Sequence, residues 1–146
     1  MVKTGITVMD AMTKKPVSVN PDEFITSCTK IMLEKHVGSL LVRENEKLVG
    51  ILTERDLVRL ISLGINPNTT KARQIMTIKI VSITPERDIY DAIVLMNTEN
   101  VRRLPVVLKE RVIGLITLRD ILTLQPTLFE LIIDMVDIKK NHSREM

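Results

Sequence analysis

The chain has 146 residues, 45% hydrophobic and 27% charged, a balance that supports one or two small packed domains and is too apolar for a disordered polymer. Its 21 Lys and Arg against 18 Asp and Glu leave a net charge of +3 with cations dispersed among acids, and Phe24, Tyr90 and Phe129 are too few to stack bases, so nucleic-acid binding is not expected. Cys28 is the single cysteine, which excludes internal disulfides and a cysteine-rich zinc site; no apolar run reaches the roughly 18 residues of a membrane span and the N-terminal stretch has no signal-peptide core, so a cytoplasmic protein is predicted.

Displaced by 64 positions, the chain aligns with itself without a gap: 17 of the 49 pairs between residues 12–60 and 76–124 are identical, against roughly one in twenty by chance. Met12-Thr13 falls on Met76-Thr77, Val17-Ser18 on Val81-Ser82, Gly50 on Gly114, and Thr53, Arg55 and Asp56 on Thr117, Arg119 and Asp120. Two long copies do not make a solenoid, so they are expected to pair about a pseudo-two-fold axis.

In chain order, Val17–Val19 reads as a short strand ending at Asn20-Pro21, with Asn as a helix N-cap and Pro at the first helical position. The helix that follows turns Phe24, Ile25, Cys28, Ile31 and Met32 inward. Leu40–Val42 and Leu48–Leu52 flank Glu44-Asn45-Glu46-Lys47 as a hairpin whose strands are buried on both sides, and a last helix starts near Thr53. Gly64–Lys71, with its Asn66-Pro67 turn signal, links the copies. The second copy repeats the order: a strand at Ile80–Ile83, Thr84-Pro85, a helix carrying Ile89, Ala92, Ile93 and Met96, a hairpin of Leu104–Leu108 and Val112–Ile116, and a helix from near Thr117. The predicted class is α/β (α+β), β-α-β-β-α in each copy, over residues 1–70 and 71–125. Residues 126–146 add an amphipathic C-terminal helix with Leu128, Phe129, Leu131, Ile132, Met135 and Val136, then a fraying polar end.

The most informative constellation is Gly50-Ile51-Leu52-Thr53-Glu54-Arg55-Asp56, echoed by Gly114-Leu115-Ile116-Thr117-Leu118-Arg119-Asp120. Thr followed three residues later by Asp is a capping box, and a strand glycine usually marks a close backbone approach. The same geometry also suits a ligand. A strand-to-helix junction offers free N–H groups, glycine clears space for a flat group, and an ionised Asp has the two acceptor oxygens that match a ribose diol. Thr and Arg can serve a neighbouring phosphate. Capping gives no reason for Arg to recur before Asp in both copies.

Two tandem units of this length and element order, each opening with Met-Thr and Val-Ser-(Val/Ile)-x-Pro and closing with Gly-x-x-Thr-x-Arg-Asp, resemble a pair of CBS domains, the arrangement called a Bateman module. The resemblance covers roughly residues 8–125. It implies a regulatory module that binds AMP, ADP, ATP or S-adenosylmethionine in clefts between paired repeats, with no further cofactor, and that regulates an attached or separate partner; assembly as a homodimer is expected. By the same resemblance Asp56 and Asp120 hold the ribose diol, and Thr53 and Thr117 contact ribose or phosphate beside Arg55 and Arg119. Backbone near Pro16-Val17 and Ile80-Val81 meets the adenine edge. Arg102 and Arg103 match the family's basic position before the second strand, Arg103 the more closely, whereas the first copy has Gly38 and Ser39 there.

Other candidates have plainer readings. Cys28 aligns with Ala92 and is expected to be a core thiol; His36 aligns with Asn100 at a helix end, where both tolerate left-handed backbone. Met12, Met32, Met76 and Met96 fill repeat-equivalent core positions. No nucleophile elbow, Walker loop or paired acids point to catalysis, so no enzyme is expected. The alternatives are a ligand-free structural or protein-interaction module and, less favoured, a nucleic-acid binder using the net positive charge.

Overall fold

The computed structural model describes residues 3–128 together with Glu130 and Asp134; the rest of the predicted C-terminal helix and its polar end lie outside the described residues. The elements are α1 (Val8–Ala11), β1 (Thr13–Lys14), β2 (Ser18–Val19), α2 (Ile25–Lys35), β3 (Ser39–Glu44), β4 (Lys47–Thr53), α3 (Glu54–Ser62), α4 (Ala72–Ile75), α5 (Ile89–Glu99), β5 (Arg103–Leu108), β6 (Arg111–Thr117) and α6 (Leu118–Leu124), then a 3-10 turn at Pro126–Leu128. No helix among the described residues is long and apolar enough to cross a membrane.

The chain forms two compact units that cut across sequence order. One takes the opening segment through Lys14, Val81–Leu108 and the chain from Ile113 onward; the other takes Lys15–Ile80 with Lys109–Val112. The short helix that precedes each copy therefore packs in the unit of the other copy. Burial explains the exchange. Val8 of α1 joins Ile89, Ile93, Leu104, Ile116 and Ile121 in one core, while Ala72 of α4 joins Ile25, Cys28, Leu40, Leu52 and Leu60 in the other. Backbone bonds seal both: Ile89 N–H donates to the Ile6 carbonyl at 3.0 Å, and Ile25 N–H to that of Thr70 at 2.9 Å. These carbonyls satisfy donors that a helix start otherwise leaves bare.

In the second unit β2 runs parallel to β3, and β3 is antiparallel to β4 with Ser39 opposite Thr53 and Leu40 opposite Leu52. In the first unit β5 pairs β6, β1 pairs the other edge of β6 through Thr13 and Leu115, and Ile83 bridges Val106 in parallel. Both hairpins turn on two residues with positive φ, Asn45 and Glu46, then Lys109 and Glu110. That is the primed turn whose twist suits a two-residue loop.

Four sequence expectations change. Helices α2 and α5 begin at Ile25 and Ile89, later than Pro21 and Pro85, because Asn20 closes a turn instead, its Oδ1 accepting from Asp22 N–H at 2.9 Å. The predicted strand at Ile80–Ile83 reduces to the single Ile83 bridge. Pro105 stands where the first copy has Leu41 and has no N–H with which to pair that edge. Burial on both faces holds for Leu40–Val42 of β3, but β4 buries Gly50 and Leu52 and leaves Val49 and Ile51 half-exposed. Finally, Phe24, expected on the inward face, is the extended N-cap of α2 and is 45% exposed, because the helix begins one residue later. The linker Gly64–Lys71 packs against α2: the Pro67 carbonyl accepts from Thr26 N–H, and Thr70 is buried with its hydroxyl on the Asn66 carbonyl at 2.7 Å.

Candidate functional site

The β4–α3 junction in the first copy is a closed capping box. Thr53 N–H donates to Oδ2 of Asp56 at 2.9 Å, and Asp56 N–H returns a bond to the Thr53 hydroxyl at 3.3 Å. The second carboxylate oxygen is also taken: Arg59 Nη2 lies 2.7 Å from Oδ1, and the Thr77 hydroxyl donates to it at 3.1 Å. Asp56 is 4% exposed. Burying a carboxylate is costly unless its lone pairs are met, and here the chain itself meets them.

The β6–α6 junction in the second copy repeats the box but not the closure. Thr117 N–H donates to Oδ2 of Asp120 at 3.0 Å and Asp120 N–H to the Thr117 hydroxyl at 3.1 Å. Thr123 stands where the first copy has Arg59, and its hydroxyl turns to the Arg119 carbonyl. Oδ1 of Asp120 accepts no hydrogen bond among the described residues, and the residue is half-buried.

Gly50 and Gly114 are explained by protein. A Cβ on Gly50 would collide with the Met76 thioether, and one on Gly114 would lie 2.5 Å from Met12 Sδ and 2.9 Å from the Thr13 carbonyl oxygen. The space that a flat ligand could have used at each glycine is filled by the methionine of the segment opening the other copy. The recurring arginines are not explained this way: Arg55 and Arg119 are exposed, and neither guanidinium bonds the Asp beside it.

The remaining predicted residues separate by copy. Gly38 accepts the Glu54 N–H on its carbonyl, and a Cβ there would lie 3.2 Å from Glu54 Oε1, so a carboxylate stands over this position; Ser39 is buried. The matching Arg102 is exposed and accepts the Leu118 N–H at 2.9 Å, with Arg103 beginning β5. Pro16 and Val17 are half-buried, and the Val17 carbonyl accepts from Leu41 N–H at 3.0 Å; Ile80 and Val81 are half-buried without strand pairing. A surface groove of about 400 Å³ lined by Ser82, Thr84, Arg87, Asp91, Val94 and Thr98 includes neither junction carboxylate. Sequence reasoning missed Arg59, Thr77 and Pro105. The first was legible as a helical i,i+3 partner of Asp56, whereas the Thr77 contact depends on the exchange of opening segments.

The plainer readings fit their surroundings. Cys28 is fully buried, and that burial pushes its thiol up to about 11, so the reactive thiolate is scarce at neutral pH. His36 and Asn100 both end their helices in left-handed backbone at φ 55°.

Comparison with known proteins follows the same division into two copies. The CBS-domain family model matches residues 8–63 and 72–126. An uncharacterized protein of Methanopyrus kandleri is 32% identical over 127 residues, 85% of this chain, which in turn spans 65% of that relative. The crystal structure of the CBS domain protein NE2398 superposes with a TM-score of 0.76 at 32% identity, covering 81% of this chain and 95% of that one. The CBS domain pair of protein MJ0100, solved with 5-methylthioadenosine and S-adenosyl-L-methionine, gives a TM-score of 0.74 at 26% identity over 82% of this chain and 94% of that one. With both copies matched, the chain belongs to the CBS-domain family and is a CBS-domain pair.

Proposed function

We propose that this chain is a regulatory module that binds an adenosine-bearing ligand, AMP, ADP, ATP or S-adenosylmethionine, and passes its occupancy to a partner protein as a change in conformation. CBS-domain pairs generally bind adenosine ligands for regulation, and the MJ0100 pair holds two such compounds. The observation that carries the reading for this chain is Asp120, which seals its helix with one carboxylate oxygen and, among the described residues, leaves the other without a hydrogen bond. Ribose hydroxyls are donors that fit an open carboxylate oxygen, and Thr117, Arg102, Arg103 and Arg119 supply a hydroxyl and positive charge for phosphate nearby in sequence. The ligand can move a conformational equilibrium only by its differential affinity for the two states, a coupling of about 1 to 3 kcal/mol.

Isothermal titration of the full chain with each of the four compounds tests the proposal. Saturable binding of at least one is expected; silence from all four at millimolar concentration overturns it. No hydrolysis accompanies binding in this reading, and ATP turnover in a phosphate-release assay would contradict it.

A second reading, a ligand-free interaction module, is favoured by Asp56, whose oxygens are all used by the chain, and by Val58 and Ile61, which stand 66% and 73% exposed on α3. The two readings part on whether capture of a partner protein changes with nucleotide.

A further inference from the structure

We infer that the groove beside α5 is a docking site for an extended segment of another protein, which adds to the sheet as a strand along the outer edge of Ser82–Thr84 and lays alternate side chains against α5. The inference goes beyond the adenosine reading and does not rest on it.

Backbone groups carry it first. Ile83 commits both of its own to β5: its N–H donates to the Pro105 carbonyl at 3.0 Å, and its carbonyl accepts from Val107 N–H at 2.9 Å. Main-chain groups of successive residues face opposite sides of an extended chain, so those of Ser82 and Thr84 point away from β5. Ser82 N–H, Ser82 C=O and Thr84 N–H make no hydrogen bond among the described residues, and both residues are exposed. A donor, an acceptor and a second donor follow one another along this edge. Another polypeptide main chain carries the complementary groups at the same repeat of about 6.6 Å per two residues, whereas a lone ion meets only one of them.

The groove supplies the second wall. About 400 Å³ of space lies between this segment and α5, where Asp91, Val94, Leu95 and Thr98 form one helical face. Val94 is 38% exposed there and Leu95 half-buried, so the middle of the wall is aliphatic. Arg87 Nε lies 3.4 Å from Asp91 Oδ2, and the two charges at that end offset each other. The occupant these features fit is an uncharged strand with an aliphatic or aromatic side chain facing Val94.

The first copy provides the contrast. Lys30 and Glu34, both exposed, stand where the second copy has Val94 and Thr98, so a strand added at the Ser18 edge would have to desolvate charge. Charged side chains of this kind keep an edge from pairing, and the second copy has none at those two positions.

NMR titration of the full chain with blocked heptapeptides Lys-Thr-X-Thr-X-Thr-Lys, X being Val, Ile, Leu or Phe, tests the inference through amide shifts and amide exchange at Ser82 and Thr84. Saturable binding of at least one peptide is expected, with slowed exchange at both amides. N-methylation of alternate peptide residues removes main-chain donors and should weaken binding by about tenfold or more. Val94→Lys installs the first copy's residue at an exposed position; it should weaken binding by about tenfold or more while thermal melting stays that of the parent. Val58→Lys, on the exposed face of α3, should leave the Kd within about twofold. Silence from all four peptides at millimolar concentration overturns the inference, as does binding that survives N-methylation or Val94→Lys undiminished. Slow exchange at both amides in the dilute chain without peptide would assign the groove to the chain's own residues 129–146, and protection that grows with chain concentration would assign it to a second copy; either overturns the inference. All these outcomes leave the adenosine reading standing, and silence from every adenosine compound leaves this inference standing.

Discussion

The Thr77 hydroxyl donates to Oδ1 of Asp56 at 3.1 Å across 21 residues of chain. Through that bond the segment opening the second copy is fastened to the helix start of the first. Beside it, Ile51 and Thr77 exchange backbone bonds at 3.0 and 2.8 Å, and Met76 lies against Gly50. A carboxylate that the repeat presents as a ligand group is thus part of the packing of one unit.

Asp56 and Asp120 should therefore differ when truncated. Asp56→Ala removes a cap and strands the Thr53 N–H and Thr77 hydroxyl around a buried site, an expected cost of about 2 to 4 kcal/mol. Asp120→Ala loses the cap alone, about 1 kcal/mol. Arg59→Ala should cost at most about 1 kcal/mol, because that guanidinium is 62% exposed. Urea unfolding of the three variants tests the ranking; equal losses for the two aspartates would refute the asymmetry.

The two strand glycines should also respond unequally to alanine. At Gly50 the new methyl meets only the Met76 side chain, which can swing, whereas at Gly114 it also meets the Thr13 carbonyl oxygen at 2.9 Å. Gly114→Ala is expected to cost about 1 to 3 kcal/mol and Gly50→Ala less. Adding Met76→Ala to Gly50→Ala should give a smaller loss than the two single changes summed, as a double-mutant cycle would read.

Acid should release the opening segment. Burial alone would raise the Asp88 carboxyl, but N–H donors of Tyr90, Thr4 and Gly5 and the Thr4 hydroxyl outweigh it and hold the group below the ordinary carboxylate value of 3.8. A group lowered in the folded state contributes stability that is full above its unfolded value and lost as pH falls through its folded value. Amide exchange at Thr4 and Gly5 should therefore accelerate, beyond its intrinsic pH dependence, only below about pH 4. Asp88→Asn should remove that acid transition; its persistence in the variant would assign the release to another group.

Cys28 should resist thiol reagents in the folded chain and react at once in denaturant, since burial both shields it and keeps it protonated. Rapid modification under native conditions would refute its core placement. Cys28→Ala should cost about 1 kcal/mol, because Ala92 fills the equivalent place in the other copy.

What the sequence determined by itself was everything local and repeated. Helical spacing placed α2 and α5, Thr-x-x-Asp placed the starts of α3 and α6, and the 64-residue displacement made two copies of one unit unavoidable. Those features rest on contacts between residues three or four apart, or on comparison of the chain with itself. The tertiary structure decided which carboxylate is spent and which, among the described residues, keeps an unbonded oxygen. Asp56 and Asp120 sit in the same motif, and equivalent segments arrive beside both through Thr77 and Thr13; the bonds that the Thr77 hydroxyl and Arg59 make to Asp56 separate them. It likewise decided that Met12 and Met76 fill the space over Gly114 and Gly50, because that depends on the unit to which each opening segment belongs. Burial of Val8 and Ala72 in those cores settles that choice, and such burial depends on surfaces no local pattern contains.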